Sequence, residues 1–131
     1  MSGGKVKLGD FGLFKILSSD DEEIPLELGN SKFYAPPEVY QKTGTNSTAD
    51  IWPLGMICLE AITGTITYKS YSLLEDDPNS YFEVRQRIVN KNPFWYCESY
   101  SMKFRHLVWL MCRKVADDRP QAADLLKMCV F

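Results

Sequence analysis

Apolar residues fall into separated blocks along the chain, and the spacing within each block predicts its conformation. Lys5 to Leu8 alternates polar and apolar after the Gly3-Gly4 pair, which predicts a short strand entered from a turn. Leu13 to Ile16 reads as a second short strand. Ser18 to Asn30 is polar and acidic, carrying Asp20, Asp21, Glu22, Glu23 and Glu27 and interrupted by Pro25 and Gly29. No period survives there, and the stretch reads as a mobile loop. YAPPEVYQKTG predicts a short helix entered through Pro36 and Pro37 and stopped near Gly44. STADIWPLGMICLEAITG predicts an apolar helix from Ala49 to Thr63. Proline fits only the first turn of a helix, so Pro53 argues for a start near Asp50, and Gly64 suits the C-terminal cap. A helix apolar almost all round belongs at the centre of a fold.

Further along, SYFEVRQRIVNK sets Phe82, Val84, Ile88 and Val89 at roughly helical spacing, between loops over Tyr68–Asn79 and Asn92–Tyr100. SMKFRHLVWLMCRKV then places Phe104, Leu107, Val108 and Met111 on one helical face, with Ser101 as N-cap. DDRPQAADLLKMCVF predicts a turn and a short last helix. The expected architecture is mostly α, with short N-terminal strands followed by a helical bundle.

Composition narrows the class of partner. With 45% apolar and 24% charged residues, the 131-residue chain matches ordinary globular domains and is long enough for a core. A net charge of −2 without a basic face argues against nucleic acid. The longest apolar stretch, IWPLGMICLEAITG, carries Glu60 and is too short to cross a bilayer, and no leader-like segment precedes it. Cys58, Cys97, Cys112 and Cys129 form no C-x-x-C pair and read as reduced thiols of an intracellular protein, cytoplasmic or nuclear. His106, the single histidine, has no metal-ligand partners in sequence and reads as a packing or surface residue.

Four separated stretches carry a more specific signal. KLGDFGL, YAPPE, ADIWPLG and DDRP occur in this order over nearly the whole chain. Together they resemble the C-lobe of the eukaryotic protein kinases: the metal-binding D-F-G turn, the motif closing the activation segment, the start of the central helix, and the Arg-Pro before the last helix. The resemblance implies one partial kinase domain over 1–131. Its parts would be a strand and D-F-G turn (1–17), an activation segment (18–38) and a helical C-lobe (39–131). The KLGDFGL context is similar to NIMA-related and neighbouring Ser/Thr groups.

The resemblance also implies roles. Asp10 would bind the Mg²⁺ that bridges the phosphates of ATP, a hard cation preferring oxygen ligands. Phe11 would pack beneath it and Gly12 would permit the turn. Glu38 and Arg119 would form a buried ion pair joining the end of the activation segment to the last helices. Asp50 would accept backbone hydrogen bonds from a catalytic loop, or serve as a helix N-cap. Trp52 and Gly55 complete the Asp-x-Trp-x-x-Gly pattern of the central helix. Ser31 stands where Ser/Thr kinases carry threonine, so it would shape the pocket after the acceptor site. Ser18 and Ser19 are candidate phosphosites in the acidic loop, which reads equally as a solvated charge run.

Equally informative is what the resemblance expects and the chain does not contain. No Gly-rich phosphate loop, Val-Ala-x-Lys strand, partner glutamate helix or His-Arg-Asp-x-x-x-x-Asn loop is present. No residue supplies the general base, and phosphoryl transfer depends on positioning and charge neutralisation. The expectation is a C-terminal part of a Ser/Thr kinase, acting with ATP and Mg²⁺ on a protein substrate only when intact and inactive as this chain alone. Met1 is then an internal methionine of a longer kinase; the alternative is a noncatalytic pseudokinase remnant or protein-binding module. Pro53, Pro36-Pro37 and Val115-Ala116 depart from the residues common in the family (Ser, Ala-Pro and Asp-Pro respectively).

Overall fold

Each apolar block from residue 37 onward becomes a helix. The computed structural model describes residues 6–9, 11–16, 18, 32–69, 78–93 and 99–128. The helices are α1 (Pro37–Gln41), α2 (Ile51–Thr63), α3 (Pro78–Asn90), α4 (Met102–Met111) and α5 (Ala122–Lys127). Single 3₁₀ turns cover Phe11–Leu13, Ser47–Asp50 and Ala116–Asp118. Among the described residues no strand forms. The two expected strands at 5–8 and 13–16 are therefore corrected: Val6 and Leu8 are 96% and 87% exposed, with Phe14 and Ile16 also outside the core. A strand needs a neighbouring ladder to satisfy its backbone, and the alternating pattern alone does not supply one.

Local chemistry explains the helix ends. α1 begins at Pro37, whose missing N–H falls where a helix needs none, and it is closed by Lys42 at φ 56 rather than by Gly44. α2 ends where Gly64 takes φ 69 and its N–H closes on the Glu60 carbonyl. Ser101 caps α4 by accepting from the Phe104 N–H at 3.3 Å. α3 starts at Pro78, three residues before the apolar spacing of its body becomes visible.

Two helix contacts build the core: α2 lies against α4, and α1 against α3. Gly55 meets Cys112 and Met111 at the end of α4, while the Tyr100 hydroxyl donates to the Ile62 carbonyl, so α2 and α4 run antiparallel. A Cβ at Gly55 would lie 2.6 Å from Cys112 Sγ, so only glycine permits this approach. Around that contact Trp52, Met56, Leu59, Val84, Ile88 and Val108 are closed to solvent. The expectation that α2 is buried all round is corrected: Leu54, Ile57 and Ala61 face outward along one stripe, the first two at 43% and 53% exposure. In α3, Val84 and Ile88 are buried but Phe82 is 59% exposed, because residues two apart in a helix lie on different faces. Cys112 is buried and Cys58 half-buried, both as free thiols, with burial pushing the Cys58 thiol up; Cys97 and Cys129 lie outside the described residues. Among the described residues no helix is long and apolar enough to cross a membrane.

Candidate functional site

The Arg119-Pro120 dipeptide sets the geometry of the main polar site. The residue before proline is restricted to extended backbone, and Arg119 takes φ −83, ψ 143 immediately after the 3₁₀ turn Ala116–Asp118. Its side chain runs into the interior and meets Glu38 in the first turn of α1. Nη1 donates to Glu38 Oε1 and Nη2 to Oε2, both at 2.7 Å, across 81 positions of sequence. The arginine side chain is fully buried and the glutamate 6% exposed. A guanidinium has five N–H donors in a rigid fork. The other three are also used, by the carbonyls of Arg113 (2.8 Å), Thr48 (3.3 Å) and Lys114 (3.5 Å). Thr45 Oγ1 donates to Glu38 Oε1 at 3.3 Å, adding a neutral partner to the carboxylate.

Trp52, fully buried on α2, backs this pair. The Arg119 guanidinium lies 5.3 Å from its ring centroid and the Lys114 ammonium 4.9 Å, with Lys114 also 5.9 Å from the Tyr68 ring. The Trp52 indole N–H has no hydrogen-bond partner. Lys114 Nζ donates to the Ile88 carbonyl, and to the Lys91 carbonyl at 2.7 Å, at the end of α3. Burial, partly opposed by Cys112 and reinforced by Arg119, brings the Lys114 amine down to about 8.

The loop before α2 is tied to the same region. Asn46 accepts from the Thr48 N–H at 3.0 Å and caps the 3₁₀ turn Ser47–Asp50, while its amide donates to Asp117 at 2.8 Å. Thr48 Oγ1 donates to the Ala116 carbonyl at 2.8 Å. Asp50 ends that turn in helical conformation, is exposed, and makes no side-chain cap bond, so the N-cap reading is corrected. An N-cap needs extended backbone, and because the turn flows directly into α2 the capping duty moves upstream to Asn46.

The D-F-G stretch stands apart from this cluster. Phe11 opens the turn Phe11–Leu13 at 59% exposure, and Gly12 is exposed, so the expected packing of Phe11 beneath a carboxylate is corrected. An aromatic ring leaves water only where other elements cover it. Asp10, Ser19 and Ser31 lie outside the described residues, and Ser18 is exposed. Among the described residues no group of three His, Cys, Asp or Glu side chains could hold a metal ion. His106 is exposed and stacked on Trp109 at 5.6 Å. Two further anchors hold residues 32–40: Tyr34 donates its hydroxyl to Glu60 of α2, and Tyr40 donates to the Lys32 carbonyl. Burial first, then Glu60, raise the Tyr34 phenol to about 12.

Sequence reasoning pairs Glu38 with Arg119 and singles out Trp52 and Gly55, and the structure brings all four into one connected region. It passes over Thr45, Asn46, Thr48 and Lys114. Asn46 two residues before Thr48 is the spacing of a side-chain-capped turn and was readable. Lys114 had no local signal.

Known proteins supply an independent comparison. The protein kinase domain family matches the chain across residues 1–131. Mitogen-activated protein kinase kinase kinase 9 of Arabidopsis thaliana is 34% identical over 129 residues, covering 95% of this chain and 15% of that protein. Serine/threonine-protein kinase Nek3 of Oryza sativa subsp. japonica is 33% identical over 122 residues, covering 93% and 19%. Serine/threonine-protein kinase Nek3 of Mus musculus is 32% identical over 123 residues, covering 94% and 22%. The chain thus spans between 15% and 22% of the length of these relatives. With the family matched from end to end, and with a mostly helical fold that suits a C-lobe, the chain belongs to the eukaryotic protein kinase superfamily, among its Ser/Thr-type members.

Proposed function

We propose that this chain is the C-terminal part of a Ser/Thr protein kinase catalytic domain, running from the D-F-G turn (1–17) through an activation segment (18–38) to a helical C-lobe (39–131). In an intact domain the reaction is transfer of phosphate from MgATP to a protein Ser or Thr. The buried, bidentate Glu38–Arg119 pair carries this reading, since it fastens the end of the activation segment to the last helices. Asp10 is the residue proposed to hold Mg²⁺, and Ser31 the one proposed to select the hydroxyl acceptor. Exposed Ser18 and adjacent Ser19 are the proposed phosphosites.

The described residues do not by themselves fit a magnesium nucleotide. They contain no cluster of metal-binding side chains, and Phe11 and Gly12 of the turn face solvent. No step of phosphoryl transfer is therefore assigned to them. The chain alone is proposed to be inactive. Calorimetric titration with MgATP, beside a radiolabel assay on a generic Ser/Thr substrate, tests this. The expected result is neither binding nor turnover. Micromolar binding that Asp10→Ala abolishes would overturn it.

A second reading, a noncatalytic kinase-like module that binds another protein, is favoured by the outward apolar stripe of Leu54, Ile57 and Ala61 on α2. Joining the chain to the N-terminal half of a related kinase domain separates the two. Recovery of transfer supports the enzyme; a stable but inactive hybrid supports the module.

A further inference from the structure

We propose that Lys114 is a reactive-amine modification site of this fold, one that forms a reversible imine with a small aldehyde or ketone. The inference stands apart from the kinase reading and uses none of its residues as reactants.

The geometry around Nζ favours a nucleophile. Its hydrogen-bond partners are two carbonyl oxygens, those of Ile88 and Lys91, and its other neighbours are the faces of Trp52 and Tyr68. A neutral amine has two N–H groups and one lone pair. Two carbonyl acceptors engage both N–H groups and leave the pair free, because an acceptor cannot bond to it. The charged form gains little here, since no salt bridge is formed with Lys114 among the described residues.

Every charged or titratable group around the site pushes the same way or is already engaged. Arg119 shares the Trp52 ring and repels a second cation, while Glu38 is committed to Arg119. Asp117 accepts from Asn46, and Asp118 pairs with Arg113 at 3.1 Å. The Tyr68 hydroxyl donates to the Lys91 carbonyl, and Arg87 donates to the Tyr68 carbonyl. Cys112, buried beside α2, is the one group that favours the charged amine. Burial outweighs it and brings the amine down to about 8. A desolvated lysine beside another cation is the arrangement that activates amines toward carbonyl compounds.

Lys114 also has room beside it. It lines a cleft of about 250 Å³ with Thr43, Gly44, Asn46, Val115 and Asp117. A second cleft of about 190 Å³ lies with Asn92, Trp109, Cys112 and Arg113. Spaces of that size admit a compound of a few heavy atoms and exclude a bulky acyl carrier. In the reaction the lone pair attacks the carbonyl carbon as the C=O π pair moves to oxygen. Nitrogen gives up its protons, the oxygen leaves as water, and a C=N bond remains with no change of oxidation state.

Acetaldehyde with sodium cyanoborohydride tests the proposal on the full chain, since hydride reduction of the imine leaves a stable ethyl group for mass-spectrometric mapping. Lys103, exposed on α4, is the internal reference. At about pH 7.5 the neutral fraction of an amine at 8 exceeds that of an ordinary lysine by about two hundredfold. Lower basicity and partial burial oppose this, so Lys114 is expected to label about tenfold faster than Lys103. The preference should vanish in concentrated urea, and Lys114→Arg should remove the fast site without slowing Lys103. Labelling of Lys114 no faster than Lys103 in the folded chain, or a preference that persists in urea, would overturn the proposal. The comparison within the unmutated chain holds even if Lys114→Arg fails to fold.

Discussion

Replacing Arg119 with alanine removes a side chain that touches five partners at once. Glu38 would keep its charge at 4% exposure with only the Thr45 hydroxyl, at 3.3 Å, to replace the guanidinium. The carbonyls of Arg113, Thr48 and Lys114 would lose a donor in the same step, and Trp52 the cation beside it. Breaking a buried pair by removing one partner costs about 3–5 kcal/mol, mostly through the charge left behind. Domains of this kind are stable by about 5–15 kcal/mol in all, so Arg119→Ala should take much of the total. Glu38→Ala should fall in the same range, because it strands the arginine instead. The double variant should lose less than the sum of the two, since each single change already destroys the shared interaction. Urea titrations of the four proteins, followed by far-ultraviolet circular dichroism, give the three differences. Additive losses each below about 1 kcal/mol would match an exposed pair and would refute the reasoning.

Other expectations follow from single contacts. Gly55→Ala should cost about 1–3 kcal/mol despite the better helix former, because its Cβ would meet Cys112 Sγ at 2.6 Å; Cys112→Ala in the same chain should restore part of the loss in urea midpoint. Tyr34 is raised to about 12 in the fold, so its contribution is complete below pH 10 and is lost as pH climbs through 12; Tyr34→Phe should flatten that decline in thermal melts. Lys114 has the opposite sign: the unfolded chain holds the extra proton between about 8 and 10.5, so stability should rise across that window, and Lys114→Met should abolish the rise. The outward stripe on α2 should bind a hydrophobic dye, and Leu54→Glu with Ile57→Glu should remove most of that fluorescence; an unchanged signal would place the dye elsewhere.

Helices were legible in the sequence where local chemistry decides them. Gly64 and Ser101 end or begin α2 and α4 because a positive φ and a side-chain acceptor are properties of single residues. The Glu38–Arg119 pairing was legible for another reason: its two motifs are far apart but each is distinctive. Features that depend on assembly were not readable. Val6 to Ile16 has a strand-like alternation yet forms no strand, since a ladder needs a second strand that alternation does not specify. Phe82 and Leu54 are apolar but outward, which periodicity misses when a helix is apolar on more than one side. Asp50 has the composition of a cap but not the backbone angle. The surroundings of Lys114 come from α2, the Tyr68 loop, the end of α3 and the turn before Arg119, so no window of sequence contains them.

The unpartnered indole N–H of Trp52 has an optical consequence. An excited indole lowers its emission energy by reorienting nearby dipoles, chiefly water at its N–H. Trp52 is fully buried and its nitrogen touches no acceptor, so little relaxation is open to it. Its emission should sit toward the short-wavelength side of the tryptophan range. Trp109 lies half-buried under Arg113 and should emit further to the red. The junction of Glu38, Arg119 and Lys114 thus carries its own chromophore, and a red shift of the blue edge alone would report the moment that junction takes in water.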